Sequence, residues 1–234
     1  MPNYNGARSG YAARVPHSDF TASGVEVLDL ASVDSNLKGF RSGFATSTHA
    51  YYVPYYNGGA YSGYAARVSL SDFTASGVEI LNLASINSNL KGFKGGFATS
   101  THAYYVPYKN EGSFHGYTAR VSLSDFTTSG VEYLNLAGVN GNLKGFVGGF
   151  ATSTHAYYAP YRNSAYNGYA PRVALSDFTA SGVEILNLAS TDGNLKGFDG
   201  GFATANHAYY VPTYNNVGGG VANHGYAPRV SLSI

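Results

Sequence analysis

The chain of 234 residues contains no cysteine, no tryptophan and a single methionine. Without cysteine there is neither a disulfide framework nor a thiolate metal site. Charge is also scarce: 12% of residues are charged, and the formal net charge is +1. No basic stripe of the kind that tracks a phosphate backbone is present, so nucleic acid is not an expected partner. No apolar run approaches the ~18 residues needed to span a bilayer, so membrane insertion is not expected. The opening Met1-Pro2-Asn3-Tyr4-Asn5-Gly6 lacks a basic and apolar leader pattern. Helix formers are sparse, and Gly or Pro interrupts the chain too often for long helices.

What is abundant is aromatic and glycine: 22 Tyr, 13 Phe and 30 Gly. A disordered Gly/Tyr tract would have the same composition. It would not need Val, Ile, Leu and Phe at fixed positions, and here they return at fixed positions. Arg14, Arg67, Arg120, Arg172 and Arg229 are spaced by 53, 53, 52 and 57 residues. His49, His102, His155 and His207 follow the same period. One unit has been copied, which fixes a stacked architecture before any motif is considered. The expected organisation is one repeat domain over 1–234, with units at about 1–42 (partial), 43–94, 95–147, 148–199 and 200–234 (partial).

Each unit divides into four short strands. In one copy these are Gly96 to Ser100, Ala103 to Tyr108, Ala119 to Phe126 and Val131 to Leu136. The breaks hold Ser, Thr, Asn and Gly, which suit turns. Val78 and Ile80 point to one face of strand four, and Leu81 and Leu83 to the other, so both faces of each sheet should be covered. Small antiparallel sheets sandwiched between copies of themselves are β-propeller blades. The small Gly-Gly-Phe-Ala-Thr strand fits the innermost position. The expected fold is therefore all-β: a propeller of about four four-stranded antiparallel blades.

Leu90 to Phe93, Gly95 to Phe97, Val106 to Tyr108 and Ala119 to Val121 also carry a resemblance. The order Gly-Phe-Ala, Ala-Tyr-Tyr-Val, Arg-Val-Ser-Leu and Val-Glu-Ile-Leu-Asn-Leu resembles the blade of YVTN-type propellers. It is closer still to tandem repeats of uncharacterised propeller-like proteins with a Leu-Lys-Gly-Phe, Gly-Gly-Phe, Val-Pro-Tyr and Ala-Arg-Val core. The resemblance covers nearly the whole chain and implies the blade fold. It implies no activity, because fold does not carry function.

Closure is the open question. The chain offers strands three and four, then three complete sets, then strands one, two and three, which is one strand more than four blades need. Met1 to Gly6 resembles Val53 to Gly58, and Arg229 to Ser233 repeats what Arg14 began. Either both termini complete one blade and close a ring, or the ends are completed by another chain through exposed strand edges.

Several residues invite a chemical reading. The recurrent histidines sit at the turn into strand two, away from the axis, and no metal-ligand spacing accompanies them, so a local hydrogen bond is expected. Arg67, Asp72, Glu79 and Lys91 make one balanced charge set per unit and read as edge charges and bridges between blades. Asp19, Asp72, Asp125 and Asp177 precede Phe, where a carboxylate caps backbone donors. No Gly-x-Ser-x-Gly elbow occurs, and Gly-Phe-Lys-Gly-Gly lacks the context of a phosphate loop. No catalytic residue, metal or cofactor is expected.

The variable loops between strands two and three are the better candidates, because loops on a rigid scaffold often bind. The ligand-binding candidates are Tyr55, Tyr56, Asn57 and Tyr61 in one loop, Tyr108 and Asn110 in the next, Tyr161, Asn163 and Tyr166 in the third, and Tyr214 and Asn215 in the last. Tyr offers a flat face and a hydroxyl, and Asn a donor and an acceptor, a set suited to sugars. The expected function is a non-catalytic binding or scaffold protein whose partners are glycans or other proteins. The alternative is a structural protein of an extracellular coat, wall or filament, a homo-oligomer assembling through its terminal strands. For either, an extracellular or cell-surface setting is favoured. An enzyme using the central channel ranks last, because the inner strands repeat Gly-Phe-Ala-Thr and should line the channel alike.

Overall fold

The β-branched and aromatic runs between the Gly, Asn and Ser breaks all form strands, in the order the repeat dictates. A computed structural model gives the chain at residues 6–215 and 222–232. The Met1–Asn5 part of the opening motif and Ser233–Ile234 at the close lie outside the described residues. β1 (Tyr11–Arg14) and β2 (Glu26–Asp29) form a two-stranded sheet. β3 (Gly43–Ala45), β4 (His49–Tyr52), β5 (Tyr64–Ser69) and β6 (Val78–Asn82) form the first four-stranded antiparallel sheet. The next comprises β7 (Phe93–Ala98), β8 (His102–Pro107), β11 (Tyr117–Ser122) and β12 (Val131–Asn135), with β9 (Lys109–Asn110) and β10 (Ser113–Phe114) as a small ribbon in its loop. β13 (Phe146–Ala151), β14 (His155–Pro160), β15 (Tyr169–Ala174) and β16 (Val183–Asn187) form the third. The last sheet has three strands, β17 (Phe198–Ala203), β18 (His207–Pro212) and β21 (Arg229–Ser231), while β19 (Tyr214–Asn215) and β20 (Ala222–Asn223) pair as a ribbon. The architecture is all-β, with propeller-like sheets in tandem. Among the described residues no helix is long and apolar enough to cross a membrane.

Strand boundaries shift from expectation by one to four residues, most at two places. Strand one starts at Phe93, because Phe93 pairs with Pro107 across an irregularity before the Gly96–Tyr105 pair. Strand three stops at Ser122, short of Phe126. There the Asp125 carboxylate takes the Thr127 and Ser129 hydroxyls and turns the chain. Phe126 is therefore a turn residue, although its ring is buried.

The core lies between sheets. Tyr104 and Tyr105 point to opposite faces of β8 and are both buried. Tyr105 joins Tyr51, Leu81 and Leu83 of the preceding sheet, while Tyr104 joins Leu134, Leu143 and Tyr158 toward the following one. The inner Phe of the first three inner strands meets a Tyr of the next unit: Phe44 with Tyr105 at 6.4 Å, Phe97 with Tyr158 at 6.2 Å, Phe150 with Tyr210 at 5.8 Å. Inner strands of neighbouring units pack on one another, as the small Gly-rich strand requires. At Gly95, with φ +106°, a Cβ would stand 2.6 Å from the Gly148 Cα. Only glycine permits that approach.

The charge set is wired differently from expectation. Arg67 lies opposite Glu79 in the β5–β6 register and binds it at 2.8 and 2.9 Å, so this ion pair is within a sheet. The link to the next unit comes from the same guanidinium: Arg67 Nη1 donates to the Leu123 carbonyl at 2.8 Å, and the group lies over the Phe126 ring. Asp72 engages the Thr74 and Ser76 hydroxyls instead.

Among the described residues the two ends do not share a sheet. β1 pairs with β2 alone, and the spare strand-three copy, β21, occupies the edge of β18.

Candidate functional site

Three of the candidate loops converge. The strand-two ends bring Tyr55, Tyr108 and Tyr161 into one run, with ring centroids 6.1 and 6.2 Å apart. Loop rings flank the run edge-on: Tyr61 against Tyr55 at 5.5 Å, Phe114 against Tyr108 at 5.4 Å, Tyr166 against Tyr161 at 5.4 Å. Tyr56 contacts Tyr61 from outside and carries the Arg8 guanidinium over its own ring. In the fourth unit Thr213 stands where the other units have this tyrosine, and Tyr214 is half-exposed in β19, away from the run.

The asparagines do structural work. Asn57 Oδ1 accepts the Gly59 and Ala60 amides and so shapes its own turn. Asn163 and Asn215 donate to the Asn142 and Asn194 carbonyls, tying each loop to the segment before it. Asn110 pairs through its backbone in the ribbon, and its Oδ1 is buried without a protein partner.

Beneath the tyrosines lies a cavity of about 190 Å³, lined by Arg41, Ser42, Lys94, Gly95, Val147, Gly148 and Asp199. All four units with an inner strand contribute. Arg41, Lys94, Val147 and Asp199 occupy one repeat position, the residue after the Phe of Leu-Lys-Gly-Phe or its counterpart. Sequence reasoning passed over these residues, although the signal was legible. This position differs in every unit, while the Phe before it and the Gly-Phe-Ala after it are copied.

Lys94 Nζ sits 5.0 Å from the ring centroids of both Tyr108 and Tyr161. Burial, and secondarily the Arg41 charge, lower its pKa from the ordinary lysine value, while Asp199 opposes the shift. Arg41 lies over Tyr55 at 5.2 Å. Burial raises the pKa of Tyr108 and of Tyr161, and Tyr61 is pushed up to about 12, first by burial and then by its neighbouring tyrosines. The tyrosine hydroxyls thus stay protonated near neutral pH, as donors and acceptors. The site presents two cations, one carboxylate and a wall of phenols.

The recurrent histidines are held away from this site. His49 Nδ1 meets Thr48 Oγ1 at 2.9 Å, and Nε2 lies 3.3 Å from Glu79. His102 and His155 repeat the arrangement with Glu132 and Glu184. Among the described residues no group of three metal-ligating side chains converges.

No family model matches the chain, and no curated protein matches it.

Proposed function

We propose that the protein is a non-catalytic binding scaffold that takes an acidic glycan at its tyrosine-lined axial mouth. One observation carries this reading: the inner-strand position that differs in every unit is the one whose four side chains meet in one cavity, under the Tyr55–Tyr108–Tyr161 run. Copying preserves scaffold, and the departure from it supplies an asymmetric recognition surface. Lys94 and Arg41 suit a sugar carboxylate, and a bound carboxylate would offset the burial cost of Lys94. The phenol edges and hydroxyls suit sugar rings and hydroxyl groups. The charged set holds a single carboxylate, Asp199, whereas glycoside hydrolysis ordinarily uses a pair, which supports binding over turnover.

Calorimetry with uronate-containing and neutral oligosaccharides tests this. The acidic class should bind, and Lys94→Met and Tyr161→Ala should each weaken binding about tenfold or more, with circular dichroism unchanged. Absence of binding by both classes, unaltered affinity in both variants, or robust cleavage of the sugar would defeat the reading.

A second reading, assembly of copies through the terminal sheets, is favoured by a separate observation. Both end sheets are incomplete and leave large apolar rings exposed, Phe20 at one end and Phe202 at the other.

A further inference from the structure

The ends of the array leave open what every internal boundary covers. At internal boundaries the strand-three arginine lies over the Phe of the next unit: Arg14 over Phe73 at 4.8 Å, Arg67 over Phe126 at 4.7 Å, Arg120 over Phe178 at 4.6 Å. The next arginine in the series, Arg172, has no such ring among the described residues and binds only Tyr157 and Glu184. The Phe at this repeat position that lacks an arginine is Phe20, which is 82% exposed.

The inner rings tell the same story. Phe44, Phe97 and Phe150 each meet the tyrosine of the next unit, but Phe202, fourth in the series, is 54% exposed. The strand-two tyrosine in this position that receives no inner Phe from a preceding unit is Tyr52. Beside it lies a cavity of about 550 Å³, between Tyr11–Ala13 of β1 and the inner strands β3 and β4. It follows the free edge of β1, where each internal strand three carries its strand two. At the other end Leu186 is 40% exposed, whereas its counterparts Leu81 and Leu134 are buried. There a cavity of about 180 Å³ runs between Ile185, Leu186 and Val230–Leu232.

These gaps are the two halves of one sheet. β17 and β18 are strands one and two, and β1 and β2 are strands three and four. We propose that two copies of this chain join head to tail by strand exchange: β1–β2 of one copy takes the edge of β18 of the next, in place of β21. The joined sheet, β17–β18–β1–β2, has the strand order of the internal sheets. In it Phe20 of one copy falls over Arg172 of the other, Phe202 falls on Tyr52, and both cavities fill. β21 repeats β1 in sequence, Arg229-Val230-Ser231 for Arg14-Val15-Pro16, so the exchange keeps an arginine opposite Tyr209. β21 holds β18 through three residue pairs, as β15 holds β14, but unlike β15 it brings no fourth strand among the described residues. Exchange of equivalent elements between protomers is a low-cost route to assembly. The occupant is a second copy because the halves do not meet within one chain, where β21 fills the β18 edge while Phe20 and Phe202 stay open.

The inference rests on the assembly reading, and one experiment separates the two. By equivalence with the His49–Ser69 pair, His207 should face Pro16 across the joined sheet. Facing residues are close enough for a disulfide, and the chain has no cysteine of its own to interfere. Copies carrying Pro16→Cys are mixed with copies carrying His207→Cys and oxidised, and the linked peptides are identified by mass spectrometry. The expected product is a covalent dimer joined 16 to 207, with a light-scattering mass that rises with concentration above 24.7 kDa. Phe20→Ala, at an exposed site, should leave the circular dichroism intact and weaken assembly at least about thirtyfold, the loss of one cation–π contact together with its buried ring. Assembly without the 16–207 link would overturn the exchange and leave the assembly reading standing. Linkage only within single chains of the double variant would replace the second copy by self-closure and overturn it. A mass of 24.7 kDa at every concentration would overturn both.

Discussion

Four of the five strand-three arginines, Arg14, Arg67, Arg120 and Arg172, form an internal series that separates the contact within a sheet from the contact between sheets. Arg120 binds Glu132 at 2.9 Å through both Nε and Nη2, donates through Nη1 to the Leu175 carbonyl of the next unit at 2.8 Å, and lies over Phe178. Its side chain is 10% exposed and that of Glu132 51% exposed, so the ion pair itself contributes only about 0.2–1 kcal/mol. The charge-assisted bond to a neutral carbonyl is worth about 1.5–3 kcal/mol, and the partly desolvated cation–π contact about 1–2. Arg120→Met keeps much of the apolar stem and should cost about 3–5 kcal/mol. Arg67→Met should match it, because its contacts are the same. Arg14 makes these contacts with a side chain 34% exposed, so its loss should be smaller, about 1.5–3 kcal/mol. Arg172 keeps its glutamate but lacks both contacts to the following unit, and Arg172→Met should cost only about 0.5–1 kcal/mol. Urea unfolding of the four variants at a dilution where the chain is monomeric reads the series as shifts in midpoint. Equal losses at Arg172 and Arg120 would show that the arginines act through the ion pair within each sheet, and would refute the account of the unit boundary.

Two further outcomes follow from buried polar groups. The Tyr105 hydroxyl is buried without a partner, whereas the equivalent Tyr158 hydroxyl meets Thr118 Oγ1 at 2.9 Å, because the residue in Thr118's place one unit earlier is Ala65. Tyr105→Phe should therefore be neutral or stabilise by about 1 kcal/mol, and Tyr158→Phe should destabilise by a similar amount, both read by urea melts. His115 is buried beside Phe93, and burial lowers its pKa from 6.5 to about 4. Between those values the unfolded chain binds a proton that the folded chain does not. The His115 contribution is thus complete above pH 6.5 and lost as pH falls toward 4, up to roughly 3 kcal/mol. His115→Asn, the residue that the next unit carries at Asn167, should flatten the stability profile in that window. An unchanged slope would remove His115 as its source.

Architecture was legible because it is what copying preserves. The 53-residue period, the alternation around Tyr104–Tyr105 and the Gly-rich inner strand placed the sheets and their order before any coordinates. Local terms were less legible. The Asp125–Thr127–Ser129 network ends strand three early, and nothing in a strand-propensity pattern marks that competition between side chain and ladder. The arginine was read as a bridge between units because a sequence shows which charges recur but not which face each uses. In the fold one guanidinium serves both, through different nitrogens: Nε and Nη2 stay within the sheet and Nη1 crosses to the next. Of the loop candidates, Tyr55, Tyr61, Tyr108, Tyr161 and Tyr166 come together, while the asparagines Asn57, Asn163 and Asn215 hold the loops themselves.

The features on which the proposals rest lie where the repeat is broken, and each kind of break has a distinct physical consequence. Where one inner position varies, symmetry about the axis is lost and Arg41, Lys94, Val147 and Asp199 give the mouth a charge pattern with direction. Had copying been perfect there, four like charges would face one cavity, at a repulsive cost that burial increases, or four apolar residues would close it. Where the repeat stops part-way through a unit, the same contacts that bind sheets internally are left in complementary halves, a ring without its cation at Phe20 and a cation without its ring at Arg172. An internal boundary satisfies both halves at once, so neither half is selective for anything but its counterpart. On the proposed reading, the end surfaces therefore take another copy of this chain, while the axial mouth takes a ligand of different chemistry.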